Sequence, residues 1–113
     1  MIRMYDIEIH CGEDYTQTLT IRDDDGNLMD LTGAEVYAQM RETSESNDYF
    51  EFDCTHNNDG GKILIRMSNV ETEKIPFTRG VYDVILETPT EVTCLIYGHA
   101  EIIPTVTRKE STE

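Results

Sequence analysis

Apolar and polar residues alternate with a period of two along most of this chain, the pattern of strands with one buried and one wet face. Tyr5, Ile7 and Ile9 alternate with Asp6, Glu8 and His10. After Cys11-Gly12-Glu13-Asp14, a second run sets Tyr15, Leu19 and Ile21 against Thr16, Thr18, Thr20 and Arg22. Gln17 puts a polar side chain on its apolar face, which fits a place near the edge of the core. Asp23-Asp24-Asp25-Gly26-Asn27 predicts a hairpin turn, because glycine takes positive φ and aspartate bonds its own following backbone. Leu28, Met29 and Leu31 form a short apolar return before Thr32-Gly33. Val36, Ala38 and Met40 then alternate with Glu35, Tyr37, Gln39 and Arg41 in a third long strand.

From Glu42 to Asp48 the chain turns polar, which predicts a mobile loop without a domain boundary. Phe50, Phe52 and Cys54 alternate with Glu51, Asp53 and Thr55, and His56 to Gly61 is a second turn signal before Ile63, Ile65 and Met67. Helical logic is confined to Ser68-Asn69-Val70-Glu71, a capping box, so one helical turn is expected, stopped by Pro76. Tyr82, Val84 and Leu86 mark another strand. Pro89 and Thr90 mark a turn, and Val92 to Ile103 a long last strand with Gly98 as a bulge or close-approach point.

Seven or eight strands with one helical turn predict an all-β, immunoglobulin-like antiparallel sandwich, although a closed barrel would share the same period. Residues 1–107 are expected to form one domain and 108–113 a loose polar tail. Gly80-Val81-Tyr82 matches a tyrosine corner, whose hydroxyl bonds back to upstream backbone. The plainer reading makes Tyr82 an ordinary strand residue. Val84 would then stand where antibody domains place a disulfide cysteine.

Charge narrows the partners. Among 113 residues, 9 Lys and Arg face 23 Asp and Glu, a net charge of −14. Nucleic acid and anionic membrane are therefore unexpected, since both need clustered cations. At 38% hydrophobic and 8% aromatic residues, a core is still within reach. Cys11, Cys54 and Cys94 are odd in number and lack CxxC spacing. The alternating start MIRMYDIEIH does not read as a signal peptide, so reduced thiols and synthesis in the cytoplasm are expected. Runs such as Val84-Ile85-Leu86 fall far below the roughly 18 apolar residues of a membrane-crossing helix.

Catalytic chemistry has few raw materials. Ser44, Ser46 and Ser111 fall in segments read as flexible, Ser68 reads as a cap, and no GxSxG elbow is present. Cys54 and His56, at i and i+2, share a strand face, and His10 and Cys11 are adjacent; a core thiol and solvated histidines are the simpler assignments. Asp23, Asp25 and Asn27 have the spacing that begins a calcium loop. Gly26 comes too early and no bidentate Glu follows, so a solvated turn is the reading and calcium stays an open question. His10, His56 and His99 lack zinc spacing. No pair among the 23 acids stands out for glycosidic chemistry, and Trp is absent. The expectation is a non-enzymatic protein with no catalytic, cofactor-binding or metal-binding residues.

The order of several short motifs carries a resemblance. Gly12-Glu13-Asp14-Tyr15 leads into Thr18-Leu19-Thr20-Ile21, followed by Asp25-Gly26-Asn27 and Asp30-Leu31-Thr32-Gly33-Ala34. Arg41 closes a strand, Gly61-Lys62-Ile63 opens another, and Gly80-Val81-Tyr82-Asp83-Val84 leads to Gly98-His99-Ala100-Glu101-Ile102 and Val106-Thr107-Arg108. Over nearly its whole length the chain resembles small tailed-bacteriophage virion proteins and, distantly, the amino-terminal domain of baseplate upper proteins. That resemblance implies a structural component of tail, baseplate or fibre adaptor, localised to the virion and assembling in multiple copies with other virion proteins. It carries no catalytic residues over. Capsid decoration is the sub-alternative. A free binding module or inhibitor, acting on a host protein or carbohydrate through Glu42 to Asp48 and Thr55 to Gly61, is the competing class. Docking is expected at open strand edges, with Arg3 to His10 and Val92 to Ile103 as candidates, or through an exposed apolar patch.

Overall fold

A computed structural model describes residues 3–57 and 60–107. The period-two runs become nine strands among those residues, in two packed sheets: β1 Arg3–Met4, β2 Ile7–His10, β3 Tyr15–Thr20, β4 Glu35–Arg41, β5 Phe50–Glu51, β6 Asp53–Asn57, β7 Lys62–Met67, β8 Arg79–Glu87 and β9 Val92–Ile103. The larger sheet runs β1-β9-β8-β4-β5, with β2 also on β9, and the smaller runs β3-β7-β6. This is an all-β, immunoglobulin-like sandwich with one short helix, and the expected antiparallel pairing is corrected at β1 and β2, which run parallel to β9. Ile7, Ile9, Met40, Val84 and Leu86 from one sheet meet Ile63, Ile65 and Met67 from the other in a shared core. The expected tail, 108–113, lies outside the described residues.

Two expected runs are each cut in two, and each cut has a cause. The first strand lies parallel to β9 in one unbroken register, Arg3 opposite Ile96 and Ile7 opposite Ala100, but its ladder breaks at Tyr5 and Asp6. There the Tyr5 carbonyl turns to accept the Tyr82 hydroxyl, and Asp6 Oδ1 accepts the His99 amide at 2.9 Å in its stead. The Phe50 run divides because the chain changes sheet: β5 pairs with β4, and β6 pairs with β7. Phe52, buried between them, still donates its amide to the Ala38 carbonyl.

Tyr82 is 6% exposed, and its hydroxyl does reach upstream backbone. The partner is the Tyr5 carbonyl across the sheet, so the bond expected to upstream backbone is made at long range, as a cross-sheet tie. Gly98 makes this tie possible. It faces Tyr82 in the β8–β9 ladder, and a Cβ there would overlap the Tyr5 carbonyl oxygen. Gly98 is thus a close-approach point; the bulge sits between Val84 and Ile85, opposite Leu95. Val84 is fully buried and the three cysteines are free.

Other differences are local. Leu28 to Leu31 makes no strand: Leu28 has only an isolated bridge with Arg22, while the Met29 amide bonds Ile21 O at 2.9 Å. The Glu42 to Asp48 loop, expected to be mobile, is tied by Arg41, which donates to Ser46 O at 2.7 Å and Asn47 O at 3.3 Å. The helical turn and the Ser68 half of the capping box form as read, while the Glu71 carboxylate pairs with Lys74 at 3.5 Å. Ser68 caps α1 Asn69–Glu73 by accepting the Glu71 amide, and Lys74 closes the helix before Pro76. Buried Thr72 pins α1 to the β2–β3 turn by accepting the Gly12 amide at 3.0 Å and donating to Glu13 O at 2.9 Å.

Candidate docking surface

The two sheets present different outer faces, because the residues that alternate away from the core differ. On the smaller sheet the outward rows are Thr16–Arg66–Asp53, Thr18–Leu64–Thr55 and Thr20–Lys62–Asn57. Leu64 is the one apolar side chain in those rows. On the larger sheet the outward rows include Tyr37–Ile85–Cys94 and Gln39–Asp83–Tyr97, with Met4 next to Tyr97. Tyr37 and Tyr97 are 45% and 42% exposed, and Ile85 and Cys94 lie half-buried between them. An apolar patch at the middle of a solvent-facing sheet is the kind of surface that marks an interaction site.

Carboxylates frame this patch. Glu35 lies directly opposite Glu87 in the β4–β8 ladder, beside Tyr37, and Glu51 opposes Gln39. Like charges directly opposite each other weaken a strand pair. Desolvation, with the charges of Glu35 and Glu87, raises the Tyr37 phenol above its ordinary value. At mid-face, desolvation raises the Asp83 carboxyl, and the nearby Arg41 charge only partly offsets this. Arg41 is itself committed: besides the loop carbonyls, it donates to Gln39 Oε1 at 2.9 Å and lies 4.9 Å over the Tyr49 ring.

The expected edges are partly corrected. β9 is interior, flanked by β8 and by β1 and β2, and only Val92 to Leu95 face no described strand on the second side. β2 and β3 are the sheet edges on one flank of the sandwich, and a groove runs between them along Tyr5 to Glu8 and Tyr15 to Thr18. Gln17 sits at this flank, as its polar character predicted, and accepts the Tyr15 hydroxyl. Burial pushes the Tyr15 phenol up to about 12.

Candidate catalytic residues are not arranged for catalysis in the described structure. Cys54 and His56 share the inner face of β6, but burial, then the charges of Asp53 and Glu51, push the Cys54 thiol up to about 11, away from the reactive thiolate. His56 Nε2 pairs with Ala34 O at 3.0 Å, and its Nδ1 is buried without a hydrogen-bond partner. His10 is exposed, and the Cys11 thiol points to Glu73 O at 3.8 Å. Ser46 Oγ accepts the Thr43 amide at 3.1 Å and Ser68 caps α1; Ser111 lies outside the described residues. His99 Nδ1 is 3.7 Å from Asp6. In the acidic turn, Asp23 Oδ1 accepts the amides of Asp25 and Asn27 at 3.0 and 2.9 Å, so that oxygen organises the turn. Among the described residues, no three His, Cys, Asp or Glu side chains gather to hold a metal. No helix there is long and apolar enough to cross a membrane.

The sequence reading allowed for an exposed apolar patch without placing it, and a signal for its position was present. Val84-Ile85-Leu86 and Cys94-Leu95-Ile96 are apolar at consecutive positions, so in any strand at least one member must face outward. Thr72, the polar residue at the centre of the helix anchor, gave no such signal.

No family model matches the sequence, and no curated protein does. Among solved structures, the N-terminal domain of phage TP901-1 ORF48 is similar at a TM-score of 0.50 and 7% identity, over 90% of this chain and 98% of that one. The extracellular fragment of novel immune-type receptor 11 from Ictalurus punctatus, with its stalk region, aligns at a TM-score of 0.40 and 12% identity, over 100% of this chain and 92% of that one.

Proposed function

We propose that this chain is a non-enzymatic structural component of a tailed-phage virion, a tail, baseplate or fibre-adaptor protein that assembles in multiple copies with other virion proteins. The observation that carries the reading is the fold shared with the phage TP901-1 ORF48 domain along nearly the full length of both chains. An acidic sandwich suits the role physically, since a charge of −14 keeps free copies apart before assembly and attracts basic surfaces on a neighbour. Quantitative mass spectrometry of purified particles tests it. Several copies per particle are expected; expression in the infected cell with absence from the particle would replace this reading with the free binding module.

A further inference from the structure

We infer that the outer face of the larger sheet docks a protein surface combining an apolar centre with lysine or arginine side chains, and not a second copy of this chain. The inference does not depend on the virion reading. Tyr37 and Ile85 lie in one outward row and Tyr97 in the neighbouring row beside Asp83, on a face that no other element of the fold covers in the described structure. The carboxylates around it are poorly compensated from within. Among the described residues, Glu35, Glu87 and Asp83 have no lysine, arginine or histidine nitrogen within ion-pair distance, since the ion pairs found there are Lys74–Glu71 and His99–Asp6. Glu35 and Glu87 lie directly opposite each other with the Tyr37 hydroxyl as a hydrogen-bond partner but no cation, and desolvation raises the Asp83 carboxyl. Arg41, whose charge acts on Asp83, is engaged by its own loop and by Tyr49.

A face so built gains most from cations supplied from outside. Each would relieve an existing repulsion or desolvation while Tyr37, Ile85 and Tyr97 lose water. A second copy would bring the same carboxylates together and meet the net charge of −14 on each chain.

Titration of isotope-labelled protein with a strand-forming peptide of alternating Lys and Val, and with its Glu and Val counterpart, followed by amide NMR shifts, tests the inference. The Lys peptide is expected to shift residues of Glu35–Arg41, Arg79–Glu87 and Val92–Tyr97, and the Glu peptide none. Affinity should fall about tenfold between about 50 and about 500 mM salt as charges are screened. Asp83→Asn with Glu87→Gln, and separately Tyr37→Ser, should each weaken binding about tenfold, whereas Asp24→Asn with Asp25→Asn on the far turn should leave it unchanged. The inference is overturned if the shifts fall on Thr16 to Thr20 and Lys62 to Arg66. Equal weakening by the turn variant, which would make binding a matter of net charge, also overturns it. So does an absence of shifts with the Lys peptide, or a dimer that forms through this face and strengthens with salt.

Discussion

The two outer faces of the sandwich are built on the same alternation yet differ in what they expose. The smaller sheet turns threonines, Lys62, Arg66 and Asp53 to water, with Leu64 alone among them. The larger sheet turns out two tyrosines, Ile85 and Cys94, framed by Glu35, Glu87 and Asp83. Folding explains the inner faces of both sheets, where Ile63, Ile65, Met40 and Val84 bury apolar surface. It does not require the outer difference. The smaller sheet shows that strands of this fold can face water with polar residues, so the apolar and acidic rows of the larger sheet point to a demand other than stability.

The largest expected effect breaks the inner side of this comparison. Gly98→Val would drive a branched side chain into the Tyr5 carbonyl, which accepts the Tyr82 hydroxyl, and against Asp6 Oδ1. A stability loss of about 3 kcal/mol or more is expected in chemical denaturation, the upper end of overpacking costs. A loss below about 1 kcal/mol would mean that the cross-sheet tie is not formed. Tyr82→Phe should cost less, about 1–2 kcal/mol, since it removes one hydrogen bond and leaves the Tyr5 carbonyl without its partner. An unchanged melting temperature would remove that tie from the account.

Alkaline titration tests the inner side of the comparison through its buried tyrosines. The native state holds the Tyr15 proton up to about 12 and raises the Tyr82 phenol as well, whereas the unfolded chain releases both near 10. The native state binds more protons, so this contribution to stability is fully present below pH about 10 and is lost as pH rises from there through about 12. Denaturation midpoints should fall across that window, and tyrosinate absorbance should show a late-titrating fraction. A flat midpoint from about pH 9 to about pH 12 would contradict the burial of these phenols.

The smallest effects lie on the outer faces. Glu87→Gln removes the repulsion with Glu35 and should raise the melting temperature by about one to two degrees. Thr18→Val on the smaller sheet should change stability by less than about 0.5 kcal/mol. A drop with Glu87→Gln would show that the acidic pair supports the fold, and the contrast between the faces would lose its functional meaning.

Much of the architecture was legible because burial imposes its period on the residues. Ile7 and Ile9, Val84 and Leu86, and Ile63 and Ile65 were readable as inward positions, and Ser68 as a cap, from local chemistry alone. Sheet membership was not readable, because it depends on contacts distant in sequence. The alternation through Phe50, Phe52 and Cys54 runs unbroken while the chain crosses between sheets. The parallel docking of the first strand on β9, and the Tyr82 hydroxyl on Tyr5, join residues some three quarters of the chain apart, beyond any local signal. Leu28 to Leu31 misled because apolar residues beneath a loop share the composition of a short strand; Leu31 is buried without belonging to one. The position of the docking face went unread for a related reason. Tyr37 and Tyr97 look like ordinary outward strand residues until the register sets them in neighbouring rows with Ile85 and Cys94.

Hydroxyl-radical footprinting of the protein in purified particles, against the free protein, tests the central claim most directly. The account predicts strong protection of Tyr37, Ile85 and Tyr97 in the particle and an unchanged Leu64. Protection of Leu64 with Tyr37 and Tyr97 still fully reactive would place the contact on the other sheet and contradict the account.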